Sequence, residues 1–381
     1  MPTHYFDHAA TTPLDADVLA AMMPFLTTFY GNASSPHAMG QASHSALDRA
    51  RDDVAAVLGC SVSEVVFTAG GSEGDNLAVK GVAFAYQQTH GSAHVVVSAI
   101  EHHAVLHAAE ALTRHGIAVT VLPVDADGMV QVDAIAAAIR PDTALVSVMY
   151  ANNEIGTIQP IAHIAAVCRA RGVLCHTDAV QAAGLLDLNV QHLGVDMLSM
   201  TAHKCYGPKG VGAMYVKRGT PLWPQIHGGS HERQRRAGTE NVAGIVGLAT
   251  ALTLADTKRD AEVARLTPLR DQLMAQIGAL PGVRVTGHSS QRLANNASFV
   301  IDGVDGDSLL ILLDQRGICA SSGSACTSGS LEPSHVLTAI GAIGTDVQAA
   351  LRLTLGRSTQ PDDVVWVATQ VAEVLQIVRH A

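Results

Sequence analysis

Between about residues 65 and 217, short apolar runs alternate with stretches of helical periodicity, and this alternation constrains the fold more than any other feature. Val65-Val66-Phe67-Thr68, Val95-Val96-Val97-Ser98, Ala118–Pro123, Ala144–Tyr150, Gly172-Val173-Leu174-Cys175 and Met197-Leu198-Ser199-Met200 each suit one buried strand. Helices predicted at Leu77–Tyr86, Ala104–Thr113, Asp133–Ile139 and Ile161–Arg171 fill the intervals. The pattern predicts an α/β protein with a largely parallel sheet covered on both faces. Such sheets bind ligands beyond the carboxyl ends of their strands, so the polar residues after each run are where chemistry is expected.

Two of those strand ends carry an acid and an amine. Asp178 follows the run ending at Cys175, and Lys204 follows the run ending at Met200, where Tyr206-Gly207-Pro208 forces a tight turn that holds the lysine in place. A held, partly desolvated lysine attacks carbonyls, and an aldehyde cofactor such as pyridoxal phosphate takes a lysine together with an Asp for its ring nitrogen. A structural ion pair accounts for the same two residues equally well. After Thr68, the turn Ala69-Gly70-Gly71-Ser72-Glu73-Gly74-Asp75-Asn76 leads into a helix, and the N–H groups of Gly71 and Ser72 with the Ser72 hydroxyl make an anion site that fits a phosphate. It matches neither nucleotide-binding glycine motif, and Ser72 with Asp75 could serve only to cap the helix. Either His102 or His103 could stack on a flat ring or move protons. Asn152 and Asn153 offer neutral donors and acceptors or simply form a turn, and Gln181 lies three residues past Asp178.

Beyond residue 217, the glycine-bounded segment Gly228–Thr239 carries arginines that are either solvated or directed at a phosphate across a subunit boundary. A long helix from Val242 to about Gln276 leads to a second, smaller domain with strands around Val283–Val285, Ala297–Ile301 and Leu351–Leu355. Inside it, Gly317–Ser330 is too polar for a core strand and too long for a tight turn, which predicts a mobile loop exposing the Cys326 thiol. Cys319, beside Ile318, is read as packing. Arg352 alternates with Leu351 and Leu353 in a strand, where it either pairs with a substrate carboxylate or makes a structural salt bridge.

The formal charge of −10, with no basic run, argues against nucleic acid as the main partner. The six cysteines form no CxxC pair or zinc-ligand spacing, so no metal site is expected. No stretch reaches the roughly 18 apolar residues of a membrane helix, and the first eight residues lack signal-peptide character, so the expected location is the cytoplasm.

Thr201-Ala202-His203-Lys204, with Asp178-Ala179-Val180-Gln181 upstream and Ser321-Ser322-Gly323-Ser324-Ala325-Cys326-Thr327 downstream, resembles the cysteine desulfurases, in particular the NifS/IscS-like group of class V aminotransferase-family enzymes. The resemblance runs from Tyr5-Phe6-Asp7 through Gly356-Arg357. It implies the type I fold of enzymes dependent on pyridoxal 5'-phosphate, with a mainly parallel seven-stranded sheet in a large domain, residues 15–255. Residues 1–14 and 256–381 would form a smaller α/β domain carrying the cysteine loop, at about 319–332.

Carried onto this chain, the resemblance implies that Lys204 holds the cofactor as a Schiff base, Asp178 protonates its ring nitrogen, His102 stacks on the ring and moves protons, and Gln181 contacts the ring oxygen. Gly71, Ser72, Thr201 and His203 would hold the phosphate, with Thr239 reaching in from the other subunit of a homodimer, and Asn153 and Arg352 would orient the carboxylate of L-cysteine. Cys326 would take the substrate's sulfur as a persulfide, leaving L-alanine, and pass it to an acceptor or iron–sulfur scaffold protein. Ser72 stands where the family commonly has threonine and Thr201 where it has serine, and both keep a hydroxyl. The cysteine loop resembles the long-loop group, and Ser328–His335 leans toward the nitrogen-fixation form. Competing expectations are a selenocysteine lyase or an aminotransferase on the same fold, and a non-enzymatic sulfur carrier.

Overall fold

A computed structural model describes residues 3–322, 334–342 and 347–380. Its strands are β1 (His4–Tyr5), β2 (Val65–Thr68), β3 (His94–Ser98), β4 (Ala118–Leu122), β5 (Thr143–Ser147), β6 (Leu174–Asp178), β7 (Met197–Thr201), β8 (Gly212–Val216), β9 (Val283–Val285), β10 (Asn296–Asp302), β11 (Ile318–Cys319) and β12 (Val347–Thr354). Seven of them form one sheet in the order β2-β8-β7-β6-β5-β3-β4. Only β8 runs antiparallel to its neighbours, so the carboxyl ends of the other six lie along one edge. This is the mainly parallel seven-stranded sheet that the alternation and the resemblance led us to expect.

The apolar runs are strands because they are covered on both faces. Val95 and Val97 belong to one buried cluster, with Leu77, Val82 and Leu112 from the helices Gly71–His90 and His103–Thr113, while Val96 belongs to another with Ile164, Leu198 and Leu248. Burying one such valine or leucine contributes about 1.5–3 kcal/mol, so the alternation fixes both layers. A separate cluster joins Phe6 to Leu273, Phe299, Leu351 and Val371 around the antiparallel sheet β12-β10-β9. The helix Val242–Gly278 contributes Leu248 and Leu252 to the cluster that holds Val96, and Leu266 and Leu273 to the one that holds Phe6.

The strand expected to end at Cys175 continues through Asp178. Its polar continuation is buried because the side chains satisfy one another: the two ring nitrogens of His176 bond the hydroxyls of Ser147 at 2.8 Å and Ser199 at 2.9 Å.

Of the arginines after Gly228, Arg233 is exposed, as the solvated reading expects, while two others have partners within the chain. Arg236 pairs with Glu73 at 2.8 Å, and Arg235 donates to the Ser63 carbonyl at 3.1 Å, so both tie their own chain together. Between them and β8, Glu232, Arg233 and Gln234 have left-handed φ of 46°, 57° and 67°. That strain is offset at Glu232, whose buried carboxylate accepts from Arg51 at 2.7 and 2.8 Å and from the Phe67 amide at 3.0 Å.

Candidate active site

The carboxyl ends of β2, β3, β5, β6 and β7 surround a cavity of about 360 Å³. Asp178 enters it from the end of β6, Thr201 from the end of β7, His102 from the turn after β3 and Asn153 from the turn after β5. Gly71 and Ser72 open the helix after β2. Gln181, His203, Lys204 and Arg352 complete the wall, so ten of the twelve candidates, all but Cys326 and Thr239, are brought together here.

 Nine of them come from the carboxyl ends of strands in the large sheet or the turns after them, and Arg352 reaches in from β12. Thr239 is exposed and lines a separate depression beside Ala69 and Gly210. Cys326 lies outside the described residues.

Lys204 donates through Nζ to the carbonyls of Ala9 and Ala10, the latter at 2.8 Å, and Gln181 Nε2 donates to Ala9 at 3.0 Å. Thr12 accepts from the Tyr206 amide at 2.7 Å and donates to the His203 carbonyl at 2.9 Å. The N-terminal segment around Ala9 and Ala10 is therefore a wall of the site. Sequence reasoning missed it because Ala9 and Ala10 act through backbone carbonyls, which carry no side-chain signature.

The structure separates neighbours that the sequence left equivalent. His102 faces the cavity, while the His103 ring lies 4.8 Å from that of His107 and 4.6 Å from that of His335. Asn152 is a buried turn former, its Oδ1 accepting from the amides of Glu154 and Ile155, both at 2.9 Å, whereas Asn153 lines the cavity. Asp75 does not cap its helix: Gly70 holds that position without a side-chain bond. Asp75 is instead buried beside the cavity, 3.8 Å from His176.

Burial sets the protonation states. Desolvation, and then the charge of Lys204, bring His102 down to about 4, so its imidazole is neutral at pH 7. Its Nδ1 accepts from the Ala104 amide at 3.1 Å, which places the proton on Nε2. His203 is likewise lowered to about 4 by burial and by the nearby lysines. Burial pushes Asp178 up to about 6, while the Val180 amide and Lys204 work in the opposite direction. Asp75 is pushed well above the ordinary carboxylate range and Glu101 up to about 8, both chiefly by burial. Asp178 is thus the carboxylate in this group that ionises most readily.

That burial has a cost in the cofactor-free protein. Between the ordinary Asp value of 3.8 and about 6, the folded chain retains a proton that the unfolded chain has lost, so stability falls as pH rises through this window. Asp178→Asn is expected to stabilise the cofactor-free protein at pH 7 by on the order of 1 kcal/mol or more, and so to raise its thermal midpoint. The gain shrinks below about pH 4, where the wild-type carboxyl is also neutral. Thermal melts of both proteins at pH 7 and pH 4 check this.

Gly71 explains why the helix end stays open. A Cβ at this position would lie 2.5 Å from Val180 Cγ2, so no side chain can stand between the first amides of the helix and the cavity. The N-terminus of a 20-residue helix there favours an anion.

A lysine and a buried carboxylate facing one cavity, with a helix N-terminus at its rim, define an enzyme site for a phosphorylated aldehyde cofactor held by lysine. The chain belongs to the aminotransferase class-V family, whose profile matches residues 4–367. The fold is that of the type I enzymes, and the cofactor is pyridoxal phosphate. Its residues fit that group: an amine for the aldehyde, an acid for the ring nitrogen and open amides for the phosphate.

The chain is 47% identical to the cysteine desulfurase IscS of Methanosarcina thermophila over 376 residues, covering 99% of this chain and 93% of that protein. It is 43% identical to a cysteine desulfurase of Nostoc sp. over 380 residues, covering 99% and 94%. Among solved structures, a NifS-like protein superposes with a TM-score of 0.92 at 35% identity, covering 98% of this chain and 100% of that one.

Among the described residues no helix is long and apolar enough to cross a membrane, and no cluster of side chains suits a metal ion.

Proposed function

We propose that this protein is a cysteine desulfurase that converts L-cysteine to L-alanine and carries the released sulfur on Cys326. The observation that carries this reading is Lys204 facing Asp178 across one cavity in a chain 47% identical to a cysteine desulfurase. When bound, the cofactor supplies an electron sink for the bond changes at the substrate's α-carbon. Lys204 would hold its aldehyde carbon and, once displaced by the substrate amine, accept and return the α-proton. Asp178 would keep the ring nitrogen protonated, and a cationic ring beside it would favour the ionised carboxylate despite burial. His102, neutral with its proton on Nε2, would cover the ring and serve as a second proton carrier.

Gly71, Ser72, Thr201 and His203 would receive the phosphate, and Thr239 would join them from the other subunit of a homodimer. Thr239 lies apart from this chain's own cavity, which favours that arrangement. Gln181 would bond the ring oxygen, and Asn153 and Arg352 would orient the substrate carboxylate.

The sulfur step balances without an added oxidant. The substrate C–S bond breaks, an S–S bond forms to Cys326, and the carbon leaves as L-alanine after taking up a proton. The described cysteines make poor alternatives to Cys326: Cys168, Cys175 and Cys205 are buried, burial raises Cys60 to about 12, and burial, then the nearby Asp314 and Asp7, raises Cys319 above the ordinary thiol value. The division into a large domain, 15–255, and a small one carrying the cysteine loop would let that loop alternate between the cavity and an acceptor, such as an iron–sulfur scaffold protein. Mass spectrometry after brief exposure to L-cysteine tests the assignment. The peptide holding Cys326 should gain one sulfur atom; a gain on another cysteine would contradict it.

A further inference from the structure

Arg352 meets an acid before any substrate arrives. It is 2% exposed, donating through Nη2 to Asp7 Oδ1 at 2.8 Å and through Nη1 to the Asn153 carbonyl at 2.9 Å. Asp7 is fixed from several directions. Its backbone bridges Thr354, two residues beyond Arg352 on β12, and its carbonyl accepts from the Tyr5 hydroxyl at 3.1 Å. The Asp7 side chain is 19% exposed and remains close beside the guanidinium.

We propose that Asp7 sets how tightly the site grips the carboxylate of substrate and product: by neutralising Arg352 in advance, it leaves that grip loose enough for L-alanine to leave. The proposal rests on the reading that Arg352 binds the carboxylate. A buried guanidinium without a counter-ion is costly, and a carboxylate ligand that supplied all the missing charge would be held strongly. With Asp7 in place, the ligand brings a second negative charge to a cation that is already compensated. What Asp7 contributes to the empty site is by linkage subtracted from the ligand. Product release, often the slow step of an evolved enzyme, is where this difference would be felt.

Among the described residues, neither Glu154 nor Lys204 substitutes for Asp7. Glu154 is committed to the Ser334 hydroxyl at 2.6 Å, and burial raises its carboxyl toward the neutral form. Lys204 has the same sign as Arg352 and cannot compensate it.

The test is calorimetric titration of the cofactor-loaded protein with L-alanine, and with L-alaninamide, which lacks the carboxylate. Asp7→Asn should lower the Kd for L-alanine by roughly fivefold or more, the low end of ordinary coupling between sites. It should leave L-alaninamide unchanged and lower kcat as release of L-alanine slows. Asp7→Glu, which keeps the charge, should stay close to wild type. Arg352→Gln should weaken L-alanine binding.

L-alanine binding that is unchanged or weaker in Asp7→Asn, with Arg352→Gln weakened as expected, overturns the proposal while sparing the role of Arg352. Unchanged binding in Arg352→Gln refutes that role, and the proposal falls with it. Should Asp7→Asn not fold, Asp7→Ser admits water beside the guanidinium and should show the same tightening at smaller size.

Discussion

Lys204→Ala is expected to abolish both the visible absorption of the reconstituted protein and the formation of alanine from L-cysteine. Lys204 is the amine that projects into the cavity from the end of β7, and the N-terminal carbonyls of Ala9 and Ala10 aim it there. Its loss removes the bond to the cofactor and the group that carries the α-proton. Proton transfer by a positioned side chain contributes about 10²–10⁴-fold, so a fall of at least this order in kcat is expected. The fold should survive, because the alanine leaves the helices and strands around the cavity untouched. Far-UV circular dichroism together with the alanine assay separates lost chemistry from lost structure. If sulfur transfer persisted in this variant, the carrier reading would replace the enzyme reading.

The second large effect is expected at Cys326. Cys326→Ala should leave the cofactor band and its response to L-cysteine intact, because none of the residues lining the cavity is altered. Sulfide release with a reductant should collapse, since removing a reacting nucleophile can cost on the order of 10⁶-fold in kcat. The contrast with Lys204→Ala is the informative part: one variant loses the cofactor signal and turnover, the other loses turnover alone. Full sulfide production by Cys326→Ala would refute the persulfide step and favour a lyase that releases sulfur or selenium directly.

Much of this was legible in the sequence, for identifiable reasons. Strands buried on both faces read as apolar runs, so the sheet and its carboxyl edge could be placed from residues such as Val95-Val96-Val97. Side chains at those strand ends, Asp178 and Lys204 among them, then fell into one crevice by topology alone. The polar end of β6 was harder, because His176 is buried only by virtue of Ser147 and Ser199, which are distant in sequence. Asp75 resembled a cap because it lies near a helix start, and only packing reveals that it is buried against His176. The arginines near 235 looked free for a ligand because their partners, Ser63 and Glu73, lie more than 160 residues away.

The most direct test of the central claim is one cuvette. The purified protein is reconstituted with pyridoxal phosphate, its visible spectrum is followed as L-cysteine is added, and alanine and sulfide are assayed in the same sample. The account predicts a band that shifts on addition, with alanine and sulfide rising together. A band that shifts while no alanine forms would contradict the desulfurase assignment, and the absence of any band would contradict the role given to Lys204.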